Sequence, residues 1–155
     1  MSDPGRDRTP AYAEAKQRRL ELQQTLVKLE QEIASPARGR VADWAANVSK
    51  ALLMLAGAFD EHITATERPG GLYEEILENS PRFDGPVRRL RDEHPVIRDS
   101  IQTELGRLGE AIEDGDPLDD LRDDLQRVMG LVVRHRQRGA DLVWEAYNLD
   151  IGGAE

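Results

Sequence analysis

Whatever site this 155-residue chain carries is best sought at its three histidines, His62, His94 and His135. It has no cysteine, which removes disulfides, thiolate metal sites and thiol nucleophiles together. No phosphate loop, nucleophile triad or paired-carboxylate hydrolase pattern occurs. Each histidine falls on an apolar stripe of helical period. A single imidazole on such a stripe is ordinarily a core residue satisfied by its neighbours. Three of three point elsewhere, because apolar surroundings satisfy few ring nitrogens. Imidazole is a ligand of zinc, iron, copper and nickel, and bundle cores build metal sites from side chains on facing helices.

The elements that position them read as four long helices. The first runs from about Ala11 to Ala34 on Leu22, Leu26, Leu29 and Ile33, and Ser35-Pro36 stops it. The second spans about Val41 to Glu67, with Trp44, Val48, Leu52, Leu55, Phe59, His62 and Thr66 on one face. Arg68-Pro69-Gly70-Gly71 breaks it, and Leu72 to Glu78 makes two turns over the end. Asp84-Gly85-Pro86 opens the third. Its stripe is Val87, Leu90, His94, Ile97, Ile101, Leu105, Leu108 and Ile112. After a turn at Asp114-Gly115, Asp116-Pro117 opens the fourth, with Asp119 and Asp120 suited to the positive end of a helix. Its stripe is Leu121, Leu125, Val128, Val132, His135, Gly139, Leu142 and Ala146, ending near Asn148. No strand pattern or long repeat interrupts this. The fold class is all-α, an antiparallel up-down four-helix bundle, with residues 1–10 as a flexible arm, 11–148 as the bundle and 149–155 as a tail. The tail's apolar anchor, Ile151, reads as folded back on the bundle.

Depth brings the histidines together. His94 lies 21 residues before Gly115 and His135 lies 20 after it. At about 1.5 Å per residue both sit roughly 30 Å from the turn. His62, near the end of the second helix, returns to the same level. Three imidazoles from three helices should converge in one layer, near the end covered by residues 68–85.

In this order and spacing, Phe59-Asp-Glu-His62, Leu90-Arg-Asp-Glu-His94 and Arg134-His135 through Tyr147 into Asp150-Ile-Gly-Gly153 resemble the hemerythrin-like (HHE cation-binding) family over nearly the whole chain. That resemblance implies a non-haem di-iron site bridged by two carboxylates, used for O₂ binding, iron or oxygen sensing, or peroxide and NO chemistry. The departures are specific. Thr66 stands where the family pattern has a carboxylate after the second-helix histidine, with Glu67 one step off. Gly139 and Ala140 stand where the fourth helix should supply another, with Asp141 a step further. Gln17 stands roughly in place of a first-helix histidine, and Arg98 in place of a second one on the third helix.

Two irons close together need anionic bridges to offset their repulsion, and three neutral imidazoles supply none. The expected site is therefore a mononuclear metal, iron by the resemblance, held by His62, His94 and His135. Glu61, Glu67 and Asp141 are auxiliary candidates. Glu93, like Glu61, precedes a histidine and reads as an orienter or displaced ligand. Arg91 and Arg98 flank His94 and read as a solvated helix edge. The function read from this is metal binding in oxygen, redox or iron sensing and handling, with O₂, NO or peroxide as small ligands. The alternatives are a metal-free bundle serving as an interaction or structural module, and a small peroxide- or NO-processing metalloprotein.

Composition bounds the partners. A hydrophobic share of 39% supports a core, and a net charge of −9 lacks the basic footprint of a nucleic-acid binder. The longest apolar run, Ala51 to Phe59, is too short to span a bilayer, and Met1-Ser-Asp-Pro-Gly lacks a signal peptide's pattern. A soluble cytoplasmic protein is expected.

Overall fold

The computed structural model describes residues 9–114 and 118–150. The expected arm over residues 1–8, the turn at Gly115 and the end of the tail, Ile151 included, lie outside the described residues. Among the described residues the chain is all-helical, without strands. The long helices are α1 (Pro10–Ala34), α2 (Val41–Glu67), α4 (Asp84–Asp114) and α5 (Leu118–Trp144). A short α3 (Leu72–Asn79) and a 3₁₀ turn (Pro81–Phe83) join α2 to α4, and a π-helical segment (Glu145–Asp150) follows α5. This is compatible with a four-helix bundle. No described helix is long and apolar enough to cross a membrane.

Local chemistry sets the boundaries. Thr9 caps α1, its Oγ1 accepting from the Tyr12 N–H at 3.2 Å, and Pro10 takes the first helical position, where its missing N–H costs nothing. At the other end of α1, carbonyls without helical partners are served from neighbouring helices. Trp44 Nε1 donates to Ile33 O at 3.2 Å and Arg122 to Ser35 O at 3.0 Å. The α2–α3 turn requires glycine. Gly70 has φ +75°, and a Cβ on Gly71 would lie 2.8 Å from the carbonyl oxygens of Ala65 and Arg68. This tight turn lets α3 bury Leu72, Tyr73 and Ile76.

Buried positions on α4 follow steps of three and four residues: Val87, Leu90, His94, Ile97, Ile101, Glu104, Leu108 and Ala111. That is a 3.5-residue seam, as in a coiled coil. It corrects the expected stripe at two places. Leu105 is only partly buried, and Ile112 is 41% exposed. Hydrophobicity selects those two residues, but the 3.5-residue seam turns the neighbouring positions 104 and 111 inward. On α5, Gly139 is likewise half-buried while Leu142 and Val143, and Ala146 in the segment after it, are covered. The expected α1 and α2 stripes are buried throughout.

The core divides into two apolar clusters. One contains Leu22, Leu29, Trp44, Leu55, Phe59, Ile97, Leu125 and Val132. The other contains Ala15, Tyr73, Phe83, Leu90, Leu142 and Tyr147. His94 falls between Leu90 and Ile97, and His135 between Val132 and Leu142, so the histidines mark the division.

Glu104 is the other polar intrusion on the seam. Its side chain is 7% exposed and pairs with Arg107 at 3.2 Å, which also binds Asp124. Burial raises its pKa above 4.5 despite the Arg107 charge opposing it. A raised carboxyl pKa penalises the fold above that value, so Glu104→Leu should stabilise the protein by about 1 kcal/mol or more at neutral pH. Urea unfolding should show this gain shrinking as pH falls toward 4.5.

Candidate metal centre

His62 comes from the penultimate turn of α2, His94 from the third turn of α4 and His135 from the middle of α5. All three are buried, at 4%, 1% and 1% exposure. Their Nε2 atoms converge: His62 to His135 is 3.2 Å and His94 to His135 is 3.1 Å. One ligand atom from each lies within 4.8 Å of the others. The rings stand at steep angles, 83° and 88° for His62 against its two partners. Phe59 lies against all three, with centroids 5.6, 5.7 and 5.7 Å away. Tyr73 stacks on His94 at 6.1 Å and 14°, which places α3 and its glycine turn at the site. Burial, outweighing a hydrogen bond with Thr66, raises the Tyr73 pKa and keeps the phenol neutral.

The outer nitrogens explain why the inner ones converge. His94 Nδ1 lies 2.5 Å from Glu67 Oε2, and His135 Nδ1 lies 2.8 Å from Glu93 Oε1. An ionised carboxylate only accepts, so each Nδ1 carries the proton and each Nε2 presents a lone pair. Both carboxylates are backed by arginine: Arg138 donates to Glu93 Oε2 at 2.7 Å, and Arg91 lies 3.6 Å from Glu67. Burial would raise the Glu93 pKa, but the hydrogen bonds from Arg138 and His135 outweigh it and hold it low. The supports are exchanged between helices, Glu67 of α2 serving α4 and Glu93 of α4 serving α5.

Burial also keeps the imidazoles neutral. It lowers the pKa of all three, His94 to about 3 and His62 well below 6.5, with the neighbouring His135 adding to the effect at both. Two neutral Nε2 lone pairs 3.1 Å apart repel unless a cation sits between them. The spacing suits one. Metal–nitrogen bonds of about 2.0–2.1 Å at a tetrahedral angle separate their nitrogens by about 3.3 Å. The site therefore offers the Nε2 lone pairs of His94 and His135, with the His62 ring, also neutral, beside them.

The other expected residues fall as follows. Thr66 is buried and its Oγ1 donates to the His62 carbonyl at 3.0 Å, so no carboxylate stands there. Glu67 reaches the layer through His94 Nδ1. Glu61 is 59% exposed and pairs with Arg18. Asp141 is exposed and accepts from Gln137; with Glu93 it lines a cavity of about 320 Å³ whose lining includes none of the histidines. Arg98 pairs with Asp60 at 2.9 Å. Gln17 is exposed and bonds Glu21. The residue of α1 on the buried face near this layer is instead Arg19, whose signal in the sequence is a break in the stripe between Ala15 and Leu22. Pro95 lies twelve residues into α4, which continues through it.

No family model, curated protein or solved structure matches this chain.

The depressed histidines carry a pH dependence. The unfolded chain takes up protons at these positions below about pH 6.5, whereas His94 in the folded, metal-free chain does so only near pH 3. Protonation in that window favours unfolding, by about 1.4 kcal/mol per unit of pKa difference. The urea midpoint of the metal-free protein should therefore fall steadily as pH is lowered through that window, and His94→Gln should flatten the slope.

Proposed function

We propose that this chain is a metal-binding bundle of up-down-up-down order, similar to the hemerythrin-like proteins, that holds one transition-metal ion on His62, His94 and His135. The observation that carries the reading is the convergence of three Nε2 atoms while carboxylates hold two of the Nδ1 protons on the far side. The helix order is supported by pairs that run in opposite senses along neighbouring helices. These are Ile33 with Trp44 and Arg18 with Glu61, then Arg107 with Asp124 and Glu93 with Arg138.

One ion per chain is what the donor set supports, because Thr66 and Gly139 leave two ions without bridging carboxylates. Three imidazoles accept zinc, iron, copper or nickel; iron follows from the resemblance and fits a role in oxygen, redox or iron sensing and handling. A bound ion would supply a Lewis-acidic or redox centre for O₂, NO or peroxide. The chain's own residues do the rest. Glu67 and Glu93 orient two imidazoles, Phe59 and Tyr73 exclude water from beside them, and Arg91 and Arg138 hold the carboxylates in place.

Protein purified without a histidine tag and loaded anaerobically with ferrous iron, zinc or cobalt(II) should retain one ion per chain by elemental analysis. His135→Gln should retain none. At a free metal concentration of about 100 times the Kd, the ion should stabilise the fold by roughly 2.7 kcal/mol, seen as a rise in Tm that His135→Gln lacks. Glu93→Gln and Glu67→Gln should each weaken metal binding by about 10- to 100-fold while leaving the stoichiometry at one. Absence of a bound ion and of any Tm shift in the parent would leave the metal-free bundle as the reading.

A further inference from the structure

The third histidine lacks what the other two possess. His94 and His135 each donate from Nδ1 to a carboxylate with an arginine behind it. His62 Nδ1 is buried and meets no hydrogen-bond partner among the described residues. The exchange of supports between helices, α2 to α4 and α4 to α5, is left open where a carboxylate should serve α2.

Two guanidinium groups are carried by the helix turns at the level of that gap. Arg19 sits on the buried face of α1 between Ala15 and Leu22, and the Arg18–Glu61 pair, 3.1 Å, sets this turn at the level of His62. Arg136 follows His135 on α5, which packs against α1. Arg19 Nη1 and Arg136 Nε are both buried and both without an acceptor among the described residues. Burial lowers the Arg19 pKa and the Arg136 charge adds to it, while the Arg19 charge is among those that lower His62. Buried donors left unpaired are costly, and more so when charged. A water molecule would satisfy hydrogen bonds here but leave two like charges uncompensated. An anion answers both.

We propose that His62 Nδ1, Arg19 Nη1 and Arg136 Nε form a binding site for a small carboxylate or carbonate anion. It takes the place at His62 that Glu67 and Glu93 take at the other two histidines. The class follows from those carboxylates: a compact oxyanion with two coplanar acceptor oxygens reproduces what the chain itself uses twice. The site stands on two unpaired guanidinium donors and on an imidazole edge that the anion itself would fix as Nδ1–H, and it needs no metal. Only its consequence rests on the metal reading. By fixing the His62 Nδ1 proton, the anion strengthens His62 as a ligand, so anion and metal each raise the other's affinity by the same factor.

The test uses the full metal-free chain, with sodium acetate or bicarbonate replacing sodium chloride at constant ionic strength. The expected result is a saturable rise in Tm, with half-saturation weakened about tenfold in Arg19→Met and in Arg136→Met, as loss of one charge-assisted hydrogen bond requires. In the parent, NMR should show acetate shifting the His62 imidazole resonances in preference to those of His94 and His135, and this decides the matter if either variant fails to fold. No saturable effect, an undiminished effect in both variants, or a response to phosphate alone overturns the proposal. Cobalt(II) binding, measured on the same preparations without acetate or bicarbonate, separates the two readings. Cobalt bound without an acetate response ends the anion site alone, and an acetate response without cobalt binding ends the metal reading alone.

Discussion

Three buried imidazoles whose Nε2 atoms meet inside a helical core are the constraint on which the rest of this fold depends. In an ordinary core the polar edge of a buried imidazole is turned toward a donor or acceptor. Here Glu67 and Glu93 bind the outer nitrogens of His94 and His135 and so force the inner nitrogens to face one another. Burial then withholds the proton that would relieve the contact, because it lowers all three pKa values. The three neutral rings could hold a metal ion.

The surrounding structure reads as the support such a layer needs. A 3.5-residue seam along α4 and a matching one along α5 bring His94 and His135 inward at the same depth. The two apolar clusters meet at that depth, so the polar layer is packed above and below. Phe59 touches every imidazole, and the Gly70-Gly71 turn lets Tyr73 stack on His94. The carboxylates sit at the rim, 29% exposed, with arginines against them. The carboxylate charge is thus kept at the edge and the neutral rings at the centre.

Much of this was legible in the residues. The four long helices, the short one over the end, and the shared level of the histidines follow from apolar spacing and from distances along the chain. What spacing could not supply was the exchange of partners between helices. Glu93 adjoins His94 in sequence but serves His135, while His94 takes Glu67 from α2; such pairing depends on rotamers and helix rotation. The same holds for the lower part of α4. Leu105 and Ile112 look like core residues by type, yet the seam buries Glu104 and Ala111. Arg19 is one of many charges on α1 by type, and its meaning depends on Arg136 and His62, which lie on other helices.

X-ray absorption at the metal edge reports whether a single ion bonds the three imidazoles. With the chain loaded at one equivalent of cobalt(II) or ferrous iron, the expected first shell holds about three imidazole nitrogens at roughly 2.0–2.1 Å. Outer-shell scattering should show the imidazole pattern and no metal–metal vector. A first shell of oxygen alone, or a second metal at roughly 3.5–4 Å, would contradict it.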